Sequence, residues 1–335
     1  MLENITVSSS PHISEPLSTR RIMIDVIIGL VPAVAAAGYY FRIYTLILIP
    51  VCCISAVATE WLGNLIRRKP NSLGDFSAVV TGLILALSVP PTLPVWAAII
   101  GSVFSIAIGK MVFGGLGANI FNPAMVGRAF LTASFGMLMT TWTVPATINP
   151  AMPQIASDNV DVRTQATPLA FSKQAIKSKT GAGLVNNQLL STFKGEVGGC
   201  LGETSAIAIL LGGIYMLIRR TITFHIPLAV LLSAFIFGTI GYFVNSDAYM
   251  SPLIHLTSGG LLLGAFFIAT CPVTSPLTTK GMWIFGIGVG AITMLIRIVG
   301  EYPGGVMYSV LLMNAVTPLI DRFCRLVPAG GKPHA

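Results

Sequence analysis

Apolar runs long enough to cross a bilayer, or nearly so, recur ten times along the chain. They lie at residues 22–41, 43–66, 76–89, 93–113, 122–139, 203–218, 222–244, 253–270, 282–299 and 304–320. About 20 apolar residues in helical geometry span the hydrocarbon of a membrane. Lipid cannot satisfy backbone N–H and C=O groups, so runs of this kind fold as helices. Charged residues are 10% of the chain, against about 25% in soluble domains. The expectation is an all-α polytopic membrane protein of about ten transmembrane helices in a lipid bilayer, not a soluble enzyme.

Lys and Arg in short loops stay on the cytoplasmic side of a membrane. Arg20 and Arg21, then Arg67, Arg68 and Lys69, then Lys110, then Arg219 and Arg220, then Lys280, then Arg322 and Arg325 fall at alternate turns; the intervening short turns hold only Arg42. Both termini are therefore expected to be cytoplasmic. One missed or invented span would have broken the alternation. The net charge of +8 reflects this asymmetry and calls for no nucleic-acid partner. The first apolar run is too long for a signal peptide, carries Asp25 and lacks a cleavage site.

The chain also resembles itself. Residues 81–90, TGLILALSVP, match 263–272, LGAFFIATCP, and each is followed by a Gly-rich apolar run. Farther on, Phe121-Asn122-Pro123-Ala124 matches Met313-Asn314-Ala315-Val316 in the same order. Five helices is an odd number, so a second copy enters the membrane from the opposite face and the repeat is inverted. The expected organisation is a cytoplasmic tail over 1–19, a five-helix repeat over 20–139, an extracytoplasmic loop over 140–202, a second five-helix repeat over 203–322 and a cytoplasmic tail over 323–335. The third run is short, and the eighth is broken by Gly259, Gly260 and Gly264 and stops at Pro272. Interruptions at matching places in two repeats point to a site near the midplane, although glycine also serves close helix packing.

In the long polar loop, Thr164-Gln165-Ala166-Thr167 is the only Ala-Ser or Ala-Thr pair preceded two positions earlier by Ser or Thr. This Ser/Thr-x-Ala-Thr pattern resembles sites where FMN is joined to threonine through its phosphate. Ala166 leaves the hydroxyl of Thr167 approachable, and Pro168 keeps Thr167 out of helical geometry. Together with residues 114–130, GGLGANIFNPAMVGRAF, with 202–206, GETSA, and with 300–308, GEYPGGVMY, it resembles the family of RnfD, the D subunit of the Rnf complexes, and its relative NqrB. The resemblance runs from about residue 20 to 325.

It implies a subunit of an inner-membrane complex, bacterial or archaeal, that passes electrons between ferredoxin and NAD and couples this to movement of Na+ or H+. It also implies covalent FMN on Thr167, a second non-covalent flavin such as riboflavin, a flavin transferase for maturation, and the A, B, C, E and G subunits of the Rnf complex as partners. The resemblance also places the NAD and ferredoxin sites in other subunits, which agrees with the lack of a Gly-rich dinucleotide fingerprint and of any C-x-x-C pair in this chain. The rival classes are a channel or secondary transporter for a small solute, which needs no Ser/Thr-x-Ala-Thr loop, and a scaffold holding other subunits.

Charges inside spans are functional candidates because burying them is costly. Asp25 in the first helix and Glu203 opening the sixth occupy matching places in the two repeats and are candidates for the ion pathway. Their alternatives are an i, i+4 pair of Asp25 with Arg21 and a helix N-terminal role for Glu203. Arg128, with Asn119 and Asn122, forms a polar cluster suited to a flavin ring edge or phosphate, or to tying loose backbone carbonyls together. Asp75 is expected to cap the third helix, and Arg297 to pair with Glu301. Cys52, Cys53 and Cys271 read as small buried residues, and no metal site is expected within the chain, His225 and His255 being isolated.

Overall fold

The computed structural model describes residues 18–70, 72–142, 167, 169–170, 192–193, 195, 197–203, 205–245, 249–300, 302 and 304–325. Among these there is no β-strand. Helix α1 (Thr19–Phe41) starts at Ser18, whose hydroxyl accepts the Arg21 N–H, and α2 (Ile43–Ile66) follows after Arg42 alone. Asp75 accepts the Ser77 N–H at 2.8 Å and so caps α3 (Ser77–Leu87), as expected. Helix α4 (Val95–Ile106) continues into a π-helical turn, Ala107–Met111. Helix α5 (Pro123–Ser134) has proline at its first position and Asn122 as its cap, and a short α6 (Gly136–Met139) ends the first half.

The second half comprises α7 (Ala206–Ile218), α8 (His225–Val244), α9 (Pro252–Thr257), α10 (Leu261–Leu263, continuing as a π-helical turn over Gly264–Ile268), α11 (Thr279–Ile298) and α12 (Val306–Phe323). Each of the ten apolar runs thus contains a helix. Four of them, α1, α2, α8 and α11, are long and apolar enough to cross a membrane; α3, α4 with its π turn, and α7 are shorter apolar helices. Large apolar side chains such as Ile28, Leu46, Ile54, Leu211, Ile218, Phe235 and Ile284 stand exposed on the outer faces. A soluble protein rarely leaves so much apolar surface in water, whereas lipid tails solvate it.

Helix α2 packs on α3 and α4, and α4 on α5; correspondingly α8 packs on α9 and α11, and α11 on α12. The halves meet where α1 lies along α7 and α5 along α12. At the first junction a Cβ on Gly212 would overlap the Gly29 carbonyl, so glycine is what lets these backbones touch. At the second, the Asn122 N–H donates to Asn314 Oδ1 at 3.2 Å. These are the two asparagines that the internal match had aligned.

Several of the basic turns lie close together: Arg20 sits over the Phe76 ring, and Arg219 reaches Asp25, about one helical turn from Arg20 and Arg21. Arg67 donates to the Met111 carbonyl at 2.6 Å and Lys69 to the Gly114 carbonyl at 3.3 Å, while the Leu277 N–H reaches Asp321. Lys110 departs from the expectation of a loop charge. It is 1% exposed on the π turn, and its ammonium lies 2.7 and 2.8 Å from the Glu60 carboxylate oxygens and 2.6 Å from Ser77 Oγ. Ser72 Oγ also donates to Glu60, at 2.6 Å. Hydropathy misplaced Lys110 because the apolar run around it ends within a turn of the residue, and only the fold shows that a carboxylate waits on α2.

Removing one partner of such a pair leaves an uncompensated buried charge and costs about 3–5 kcal/mol, whereas replacing both with apolar groups is often near neutral. Glu60→Ala is therefore expected to lower the melting temperature of the purified chain in detergent sharply, and Glu60→Leu with Lys110→Met to restore most of it.

Candidate functional site

Two clefts flank the junction of the halves. The first is built where the eighth apolar run breaks between α9 and α10. Gly259 there has φ +68, in the left-handed region that suits glycine. The break frees carbonyls that lipid could not satisfy. Arg297 of α11, 3% exposed, donates to the carbonyls of His255 and Ser258. It was expected to pair with Glu301, which lies outside the described residues. The end of short α3 is closed in a comparable way: the Leu87 carbonyl accepts the Gly202 N–H at 2.7 Å, and the Val89 carbonyl accepts the Leu201 N–H at 3.2 Å.

That stretch of backbone positions Cys200 and Glu203. Arg128 of α5 reaches Glu203 Oε1 at 3.3 Å and Cys200 Sγ at 3.5 Å. A Cβ on Gly260 would lie 2.7 Å from Glu203 Oε1, so Gly260 leaves the room in which the carboxylate sits. Burial pushes the Cys200 thiol well above its ordinary range; the Glu203 carboxylate adds to this and the Arg128 guanidinium opposes it. The sulfur of this buried thiol accepts from the Arg128 guanidinium. Glu203 precedes its helix rather than opening it: α7 begins at Ala206 with Ser205 as cap. Its partner is a side chain, so the reading as a helix N-terminal charge is corrected.

Thr167 lines the same cleft as Arg128, Glu203, Gly259 and Gly260, together with the aromatic side chains of Trp142, Tyr302 and Tyr308. Its hydroxyl accepts the Ala170 N–H at 3.1 Å, and the residue is 9% exposed. The hydroxyl was expected to be exposed on a polar loop; the residue is instead buried in the lining of the cleft. Ala166 and Pro168 lie outside the described residues. The cleft is partly open, not a sealed cavity.

The second cleft is lined by Asn119, Asn122, Lys110, Ser77, Thr81, Thr221 and Thr270. The polar cluster expected around Arg128 is therefore split. Asn122 spends its side-chain oxygen on capping α5 and its Nδ2 on the Ile268 carbonyl, and Asn119 Nδ2 donates to the Phe121 carbonyl. Arg128 lies more than a helical turn farther along α5 and faces the other cleft. Asp25, 5% exposed, accepts from Tyr215, Arg219 and Thr221, so its partner is Arg219 across the α1–α7 junction where the sequence suggested Arg21. Of the cysteines expected to be buried, Cys52 is, whereas Cys53 and Cys271 are half-buried.

The model of the NQR2, RnfD, RnfE family matches residues 6–330. The chain belongs to that family. Among relatives, the D subunit of the Na+-translocating ferredoxin:NAD+ oxidoreductase complex of Acetobacterium woodii is 46% identical over 96% of this chain and 94% of its own length. The D subunit of the proton-translocating ferredoxin:NAD+ oxidoreductase complex of Clostridium ljungdahlii is 42% identical over 97% and 96%. The D subunit of the ion-translocating oxidoreductase complex of Stutzerimonas stutzeri is 41% identical over 92% and 91%. With its apolar helices and lipid-facing surface, this family member is a multi-pass membrane protein.

Arg297 is the structural keystone of the first cleft. Arg297→Leu leaves two buried carbonyls without a donor, at about 1–3 kcal/mol each. Faster amide hydrogen exchange over residues 258–264, with the α2–α4 region unchanged, is the expected outcome.

Proposed function

We propose that the chain is the D subunit of an ion-translocating ferredoxin:NAD+ oxidoreductase complex, carrying FMN through a phosphoester on Thr167. The observation that carries this reading is the match to D-subunit relatives along nearly the whole chain. The cleft supports it: Thr167 lines it together with a cation, Arg128, with glycines and with aromatic side chains. A phosphoester at Thr167 Oγ1 leaves that oxygen lone pairs to accept the Ala170 N–H, so the local turn survives modification. Bound there, the flavin would supply one- and two-electron chemistry. The chain's part is to place the attachment point, set a guanidinium near the phosphate and pack aromatic rings where a flavin ring edge could lie.

Ten transmembrane segments in two inverted five-helix repeats (20–139 and 203–322) are part of the proposal, supported by the corresponding helix packing of the two halves and by the Asn122–Asn314 contact. The closeness of several basic turns supports cytoplasmic termini and an extracytoplasmic loop over 140–202, in a bacterial or archaeal cytoplasmic membrane. The second cleft, with Asn119 and Asn122 on its wall, is where a second non-covalent flavin such as riboflavin fits this scheme. Asp25 and Glu203, each buried against an arginine, serve as carboxylates of the ion pathway. The A, B, C, E and G subunits and a flavin transferase complete the assembly.

Coexpressed with a flavin transferase, the purified chain is expected to gain the mass of FMN and fluoresce in a denaturing gel, and Thr167→Ala to lose both. An unmodified chain beside a labelled control substrate would remove the electron-carrier role. In the assembled complex, Asp25→Ala or Glu203→Ala is expected to lower ion transport at least tenfold with flavin content within twofold of wild type; unchanged transport in both would take them out of the pathway.

A further inference from the structure

The short third helix leaves part of α2 uncovered. Helix α2 has 24 residues and α3 has 11, so α3 covers only about 16 Å of its neighbour at 1.5 Å per residue. Ahead of α3 stands the 3-10 turn Leu73–Asp75, and a Cβ on Gly74 within it would meet nothing within 4 Å. The result is an open groove, lined on α2 by Ile54, Val57, Ala58 and Trp61 and flanked by Leu73 and Val79. Its walls are almost wholly apolar.

Ile54, Ala58, Trp61 and Leu65 are spaced four, three and four apart, so they form one exposed stripe along α2. The stripe ends in cations. Helix α2 closes with the Arg68 N–H on the Leu65 carbonyl at 3.2 Å and the Lys69 N–H on the Asn64 carbonyl at 3.0 Å. This is the Schellman pattern, whose left-handed position is usually taken by glycine. Here Arg68 holds it, at φ 52. An arginine kept where glycine fits better points to a use for its side chain.

Arg67, Arg68 and Lys69 are all exposed, and none forms an ion pair with another described residue. The neighbouring carboxylates are engaged elsewhere: Glu60 by Lys110 and Ser72, and Asp75 by Ser77. Arg67 and Lys69 each give a hydrogen bond to a loop carbonyl, those of Met111 and Gly114, and have further N–H groups to offer. Trp61 lies five residues before Ile66, the last residue of α2, or about 7 Å along the axis. A headgroup layer is about 5–8 Å thick on each side of a bilayer, and tryptophan favours its inner boundary. The groove thus lies at acyl-chain depth and the three cations at phosphate depth. A partner helix of ordinary composition would answer the apolar stripe and leave the cations unanswered, whereas an anionic lipid answers both.

We propose that this groove binds one anionic phospholipid, with an acyl chain along Ile54, Ala58 and Trp61 and the phosphate on Arg68 and Lys69. The lipid fills the space beside α2 that a full-length third helix would have taken. The site rests on the membrane-spanning fold and is independent of flavin attachment.

Trp61 can report its own neighbours once Trp96, Trp142 and Trp283 are changed to Phe in the full chain. In vesicles, quenching of Trp61 by brominated phosphatidylglycerol is expected to saturate, with about a fivefold preference over brominated phosphatidylcholine. Arg68→Gly with Lys69→Gln is expected to bring that preference to about one without lowering the melting temperature, since glycine suits the cap. Arg220 occupies the same left-handed cap position after α7, at φ 57, outside the groove. Arg220→Gly is therefore expected to leave the preference unchanged. Equal quenching by the two lipids, or a preference that survives Arg68→Gly/Lys69→Gln, overturns the site. An equal loss in Arg220→Gly overturns it too, because the effect would then follow total charge. Should the Trp-substituted chain not fold, native mass spectrometry of the unsubstituted chain decides: one retained phosphatidylglycerol, lost in Arg68→Gly/Lys69→Gln, supports the site, and none retained overturns it. In the assembled complex, a Trp61 quenched by neither lipid means that a partner helix covers the groove, which also overturns the proposal.

Discussion

A helix that stops inside a membrane leaves carbonyls and N–H groups that lipid cannot satisfy, and much of this protein is arranged around that constraint. The two interrupted segments, α3 and the α9–α10 pair, end in its interior. Their free carbonyls are met by protein groups: the Leu201 and Gly202 N–H groups at the end of α3, the Arg297 guanidinium at the α9–α10 break, and Asn122 at the Ile268 carbonyl. Each donor comes from another part of the chain, and one of these closures, Asn122 to the Ile268 carbonyl, bridges the halves.

The buried charges follow the same rule at greater electrostatic stakes. Glu60 with Lys110, Asp25 with the exposed Arg219, and Arg128 with Glu203 each join two elements distant in sequence. Buried pairs are weak evidence for stability, since desolvation offsets much of their attraction. Their placement is more informative: the last two stand at contacts between the halves, and all three contribute a side chain to a cleft or its margin. Functional demand is the simpler account of charges retained there.

The sequence made the helices legible because their signal is local. Long apolar runs could be read without tertiary knowledge, whereas the caps Ser18, Asn122 and Ser205 were not singled out in the sequence and are seen in the hydrogen bonds of the fold. The internal match between residues near 122 and 314 was also legible, and the direct hydrogen bond between those asparagines gives it a spatial meaning. Thr167 and Arg128 were both singled out as separate features, but nothing local indicated that they share a cleft.

What escaped sequence reading was pairing over long separations. Asp25 has Arg21 four residues away, yet α1 turns the carboxylate toward α7 and Arg219. Lys110 reads as the edge of a loop until Glu60, 50 residues earlier, is found beside it. Asn119, Asn122 and Arg128 are neighbours along the chain and face two different clefts because the helix cap and the helix axis point them apart. The sequence by itself determined the all-helical membrane character and the family, since hydropathy and motifs are written in consecutive residues. Only the tertiary structure decided which charges meet and which residues share a cavity, because desolvated partners are chosen by packing across the bundle rather than by distance along the chain.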